Sequence, residues 1–318
     1  MRIKLKMKAL EPISVGYESI GIETLLYSIP IVKDDGTAIE VPIVPGNSLR
    51  GVLRDEMAMQ FLEDLRAKLA KKNSKKGSSN QLEVHIGTLL SMFSGGILSG
   101  EEKGEGAPDI TEVMNNYVYP LLPLSIMGVA LKKVIIPGKL KVGIGYPLTK
   151  ETQSLLADLG VDFEKGVPSL SEIQSSVLIT RKDDTTKVMQ LKELIAKIEG
   201  KPEDVKAEDS AIQQRLYRQV VVPGTIFYSY VEDVIPMTDA EWGLVIKTLE
   251  RLNRVGGRVA GGLGKIKVDI EVIGDKEKYI TKYDEFLDNK LNDILNALKT
   301  DPNSFFKKDS KSKESAEG

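Results

Sequence analysis

The sequence predicts an α+β protein built on an antiparallel βαββαβ sheet, the ferredoxin-like or RRM-type arrangement, decorated with long insertions. Three observations predict it. Runs with period-two alternation recur at 2–9, 139–147, 225–233 and 265–272. Stretches with helical periodicity at 49–69 and 240–255 follow the first and third of these runs. Pro-Gly pairs at Pro45-Gly46, Pro137-Gly138 and Pro223-Gly224 mark the junctions.

In chain order, the first strand alternates Arg2, Lys4, Lys6 and Lys8 with Ile3, Leu5 and Met7. Its cationic face is either solvated or an RNA contact. Residues 10–40 read as a long connection with the acids Glu11, Glu18, Glu23, Asp34, Asp35 and Glu40. VPIVPGNSLRGVLR, Val41 to Arg54, then reads as strand, turn and helix start, with Asn47 or Ser48 placed to cap. The helix over 49–69 presents Val52, Leu53, Phe61, Leu62, Leu65 and Leu69 and runs into a Lys- and Ser-rich loop.

Residues 82–116 carry no clear period, and Gly95 to Gly106 read as loop. Leu121 to Leu131 reads as a buried segment, and KLKVGIGYP as the second strand of the series. A short helix is expected over 150–164. Val177–Arg181 and Tyr217–Val222 read as two arms of a hairpin, with a charged insertion and a helix near 189–199 between them. TIFYSYVEDV places Ile226, Tyr228 and Tyr230 on one face. Asp239 is placed to cap a helix with Trp242, Val245, Leu249 and Leu252 on its stripe. A last helix spans 283–298, and the tail from Lys307 has nothing apolar to pack. The domain organisation expected is one domain over 1–306, with insertions near 10–40, 70–120 and 178–222, and a disordered tail over 307–318.

RLNRVGGRVAGGLGKIKV, Arg251 to Val268, carries five glycines within nine residues. The spacing is neither a Walker A motif nor a Rossmann fingerprint, and the loop follows a helix and precedes a strand, the reverse of both nucleotide folds. Gly256, Gly257, Gly261, Gly262 and Gly264 would let a ligand approach the main chain, whose N–H groups could cradle phosphate. Arg254, Arg258 and Lys265 surround it with positive charge.

Composition narrows the chemistry. The 318 residues include no cysteine and one histidine, His85, which removes thiolate metal sites and most histidine catalysis. His85 reads as packed or at the surface rather than catalytic. A net charge of −2 argues against a non-specific nucleic-acid coat but leaves room for a local cationic groove. The opening residues read as strand rather than signal peptide, and the longest apolar run is too short to span a bilayer, so a cytoplasmic location is expected. No cofactor and no metal are expected.

VPGNSLRGVLR resembles the PG-S-L-[KR]-G-x-[LMI]-R signature of the RAMP superfamily of CRISPR-associated proteins, in the form found in the backbone subunits of type I, III or IV effector complexes. RLNRVGGRVAGGLGKIKV resembles that family's glycine-rich loop, and VLITRKDD with RQVVVPGTIFYSYV its thumb hairpin. The resemblance implies an RRM-like palm with finger and thumb insertions. It implies a CRISPR RNA-binding subunit that stacks in multiple copies as a helical filament, beside other effector-complex subunits, and presents the guide for pairing with target DNA or RNA. Carried over by motif, Asn47, Ser48, Arg50 and Arg54 would lie near the RNA backbone, and Gly256, Gly257, Arg258, Gly261 and Gly262 would form the phosphate-facing loop. Arg181, Lys182 and Arg218 would belong to the thumb, and the lysines around Lys71 to Lys76 to a finger. RNA-cleaving relatives carry an aspartate before the first motif, and Ser28 stands at the matching position. A serine supplies no carboxylate, so a non-cleaving backbone is expected; Asp34, Asp35 and Glu23 are the nearby acids that could substitute. The alternative is a metal-dependent endoribonuclease of the same superfamily.

Overall fold

The computed structural model of the protein describes residues 1–73, 82–98, 107–162, 166–182 and 213–306. The architecture is α+β, with several antiparallel and mixed sheets. The first strand, β1 (Arg2–Ala9), organises it. Ile3, Leu5, Met7 and Ala9 point into the core and the basic residues between them point out, as the alternation requires.

Residues 10–40, expected as a connection, instead form two hairpins: β2 (Gly16–Ile20) with β3 (Glu23–Leu26), and β4 (Ser28–Val32) with β5 (Ala38–Pro42). The long helix α1 (Gly46–Asn73) follows. Next come α2 (Ile86–Ser94), β6 (Gly96–Ile97), α3 (Ile110–Val113), α4 (Leu122–Met127), β7 (Val129–Leu131) and β8 (Val134–Ile136). His85 is the N-cap of α2, its Nδ1 accepting from the Gly87 N–H at 3.1 Å. Leu121 to Leu131 is buried nearly throughout, as its composition predicts.

The second strand of the series is split into β9 (Leu140–Val142) and β10 (Tyr146–Pro147). Between them the chain turns aside to pair Gly145 with Val44, and Gly143 leaves room for the Tyr230 ring, which would lie 2.6 Å from an ideal Cβ there. The helix expected over 150–164 is shorter, a 3₁₀ turn at 150–152 and then α5 (Gln153–Asp158). It lies beside the outer face of β1, where Lys4 Nζ donates to the Gly160 carbonyl at 2.9 Å. After α6 (Leu170–Ile173), β11 (Gln174–Lys182) and β12 (Gln213–Val221) form the expected hairpin, nine paired positions long. The helix expected near 189–199 lies outside the described residues, as do 74–76 of the lysine run and the tail.

The chain then enters β13 (Ile226–Asp233), α7 (Asp239–Arg251) and β14 (Ile266–Glu271). Thr238, not Asp239, caps α7: its Oγ1 accepts from the Glu241 N–H while Glu241 reaches back to the Thr238 N–H. The single C-terminal helix expected is two, α8 (Lys276–Asn289) and α9 (Leu291–Lys299).

The main sheet runs β10-β13-β1-β14, with β9 also on β13, and every pairing is antiparallel. Leu5 sits between Ser229 and Ile270 in register. Helices α1 and α7 cover the apolar face, through Leu49, Leu53, Met57, Phe61 and Leu65 on one and Trp242, Val245 and Leu249 on the other. Full burial of each such side chain contributes about 1.5–3 kcal/mol. A second sheet, β11-β12-β3-β2, joins the hairpin to the first insertion through a parallel contact of β12 with β3.

Behind α4 lies a buried ion pair. Glu241 accepts from Lys139 Nζ at 2.5 Å and from Ser125 Oγ at 2.6 Å. The Glu241 side chain is 3% exposed, so these partners and the capping box are what make its charge tolerable.

Candidate nucleic-acid interface

The helix that the first motif opens begins at Gly46, three residues earlier than the sequence suggests. The Leu49 N–H donates to the Pro45 carbonyl at 3.1 Å, so Asn47 and Ser48 lie in the first turn rather than at the cap. Gly46 is there for space: a Cβ would meet the Val142 carbonyl oxygen at 2.5 Å. The first turn holds no acidic residue, and its N–H groups form the positive end of a 28-residue helix. Asn47 is exposed and Ser48 half-buried.

The glycine loop folds back on residues 12–14. The Gly257 N–H donates to the Ser14 carbonyl and the Gly264 N–H to the Pro12 carbonyl, both at 3.0 Å. Gly256, at φ +82°, packs so closely on Ser14 that a Cβ would lie 2.6 Å from its carbonyl oxygen. That glycine serves the fold. Gly257 and Gly262 face open space instead, and Gly261 meets only the Cβ of Arg258. The N–H groups of Gly257, Gly261, Gly262 and Gly264 all donate within the chain, so these four do not make the phosphate cradle expected of them. The charge is supplied by Arg258, exposed and held in the left-handed region at φ +59°. A non-glycine residue there costs about 1–2 kcal/mol.

Arg218 comes to the same place from β12. Its Nη1 donates to Ser14 Oγ at 3.2 Å and lies 3.4 Å from where a Cβ on Gly16 would stand. Burial, and then the nearby charge of Arg258, press its pKa downward. The second effect disfavours a further cation near Arg218 and favours an anion.

A groove of about 430 Å³ opens here, lined by Ser48 and Val52 of α1, Arg218 of β12, Gly256 and Gly257 of the loop, and Val15 to Ser19 with Thr24 of the β2–β3 hairpin. Three motifs far apart in sequence thus share one concavity. The hairpin wall, including Tyr17 and Glu18, was not singled out by sequence reading. In the structure Tyr17 is an aromatic residue in a strand whose five residues are all exposed.

The other candidates lie elsewhere. Arg50 donates to the carbonyls of Leu140 and, at 2.7 Å, Met127. Arg54 donates to those of Met127 at 2.8 Å and Gly128 at 3.0 Å. Burial lowers the pKa of both, and Arg50 lowers that of Arg54 further. Their forks brace the end of α4. Arg254 faces Glu56 at 3.4 Å. Arg181 and Lys182 end β11, opposite Gln214 and Gln213. Gly261 and Gly262 form the far end of the loop.

Ser28 is exposed at the start of β4. Asp35 sits in the β4–β5 turn, bonded by Lys33 and Thr37, which hold its carboxyl far below the usual range. Asp34 adjoins it, and Glu23 accepts from Gln219 at 3.1 Å. Among the described residues no group of three or more His, Cys, Asp or Glu could hold a metal, and no helix is long and apolar enough to cross a membrane.

The fold has known counterparts. The chain is similar to one in a solved structure described as a type IV-B CRISPR complex, with a TM-score of 0.53 and 16% identity over 86% of this chain and 93% of that one. A crystal structure of Thermofilum pendens Csc2 aligns at a TM-score of 0.39 and 14% identity, over 96% of this chain and 79% of that one. No protein-family model and no curated protein matches the sequence. At such identities the first likeness speaks for the fold alone: the chain shares the fold of a chain in that type IV-B CRISPR complex.

Proposed function

We infer that the protein is a CRISPR RNA-binding backbone subunit of a multi-subunit effector complex. The observation that carries this reading is the groove, where Ser48, Arg218 and the glycine loop meet beside Arg258. The fold likeness and the two sequence motifs point the same way. In this reading the main sheet is a ferredoxin-like, RRM-type palm, because its βαββαβ strands lie in the order second, third, first, fourth. The β11–β12 hairpin is the thumb and the segments around 70–120 are fingers. Arg218 and Arg258 clamp a phosphate of the guide, and the positive end of α1 and Ser48 Oγ face the next stretch of backbone. Gly257 leaves room for the strand to pass. Further copies of the chain and other subunits would extend the groove along the guide in the cytoplasm, leaving bases available to target DNA or RNA. The role of this groove is binding.

The test begins with nucleic acid extracted from protein purified out of its host and sequenced. Small RNAs sharing a repeat-derived end with variable spacers support the reading. Affinity for such a guide, measured against salt, should fall steeply, since released counterions dominate phosphate binding. Arg218→Glu and Arg258→Glu should each weaken it across all guide sequences. A protein free of RNA, with no affinity for added guide at low salt, would refute the assignment.

A further inference from the structure

The groove holds more than cations. Tyr17, on its hairpin wall, is 69% exposed, the most of any tyrosine in the described residues. Its ring meets Tyr27 at 5.4 Å between centroids and 87° between planes. In either sense of that T-shaped contact, one face of the Tyr17 ring at least is left unstacked. Val15 and Val52 add apolar surface to the groove, whose volume falls in the range of small-ligand sites, roughly 300–1,000 Å³.

Resting on the RNA-binding reading above, we propose that Tyr17 is a stacking platform for one base of a single-stranded nucleic acid, so that the groove takes one nucleotide as a unit. The phosphate lies toward Arg218 and the base toward the hairpin. Glu18, on the hairpin wall, sets this polarity, because its carboxylate repels phosphate but accepts from the donor edge of a base. Stacking tolerates any base, since each has a π-face. A guide of arbitrary sequence would therefore be held at this position.

The test compares a fluorescently labelled oligouridine with an abasic ribose-phosphate oligomer of the same length, by anisotropy on the full chain at low salt. The wild-type protein should bind the oligouridine more tightly. Tyr17→Ala should weaken oligouridine about 5- to 150-fold, the loss expected for one stacked base, and leave the abasic oligomer unchanged. Tyr17→Trp should keep the preference. Circular dichroism of each variant controls for folding, which an exposed strand residue should not disturb. Equal affinity of the wild type for both oligomers, or equal loss of both in Tyr17→Ala, overturns the stacking site and leaves the phosphate groove standing. Failure of the wild type to bind either oligomer overturns the RNA-binding reading and the stacking site with it.

Discussion

Arg50 and Arg54, four residues apart on one face of α1, both donate to the carbonyl oxygen of Met127, at 2.7 and 2.8 Å. Two cations on one acceptor at the end of α4 complement that helix's negative pole. They fix the helix that opens at the groove to the segment that supports it. In this structure their donors go to the scaffold.

Arg54→Ala should therefore lower stability by about 1.5–3 kcal/mol, the range for a charge-assisted hydrogen bond. Affinity for an abasic oligomer should be unchanged once the variant is folded. Arg54→Lys should not rescue it, because an ammonium cannot span the Met127 and Gly128 carbonyls as a planar fork does. Urea unfolding followed by anisotropy separates the two properties.

At Gly46 propensity and sterics disagree. Within a helix, alanine is favoured over glycine by about 1 kcal/mol. The Val142 carbonyl, 2.5 Å from the new methyl, reverses the sign. Gly46→Ala should destabilise by about 1–3 kcal/mol, as overpacking does, and a shift of the unfolding midpoint to lower denaturant checks it.

Arg258→Gly should separate fold from function in the opposite direction. Relief of the left-handed backbone offsets the loss of chain stiffness, so the melting temperature should hold or rise. Guide affinity should fall, and the slope of log K against log salt should flatten by about one unit. Salt titrations of both proteins give the comparison.

Glu241 tests the core behind the interface. Glu241→Ala leaves Lys139 and Ser125 without their shared acceptor and should cost about 3–5 kcal/mol. The single substitution measures the broken pair; a double variant with Lys139→Met should recover part of the loss, read from the same unfolding curves.

How far the sequence carries the structure depends on how local each signal is. Period-two alternation in Arg2 to Ala9 and the apolar stripe of Leu53, Phe61 and Leu65 are written in adjacent residues, and both elements form where the pattern puts them. The strands at Gly16–Ile20 and Glu23–Leu26 left no such trace. The first is exposed on both sides, and the second is held partly by residues 217 and 218, two hundred positions away. Arg50 and Arg54 illustrate the same limit. Their motif is legible, but the carbonyls that take up their donors lie 73 to 90 residues on. Nothing in the neighbourhood of Tyr17 in the sequence reveals that Arg218 comes to line the same groove.

The strand order also dictates a schedule. β1 is synthesised long before its partners, β13 and β14, at 226–233 and 266–271. At about 5–20 residues per second, roughly 15–55 s of synthesis separate Leu5 from the Ile270 it pairs with. Through that interval Ile3, Leu5 and Met7 belong to a strand with both edges open, the condition under which chains aggregate. Arg2, Lys4, Lys6 and Lys8, which alternate with these residues, put like charge on such a strand and its copies and so oppose edge-to-edge pairing while it waits.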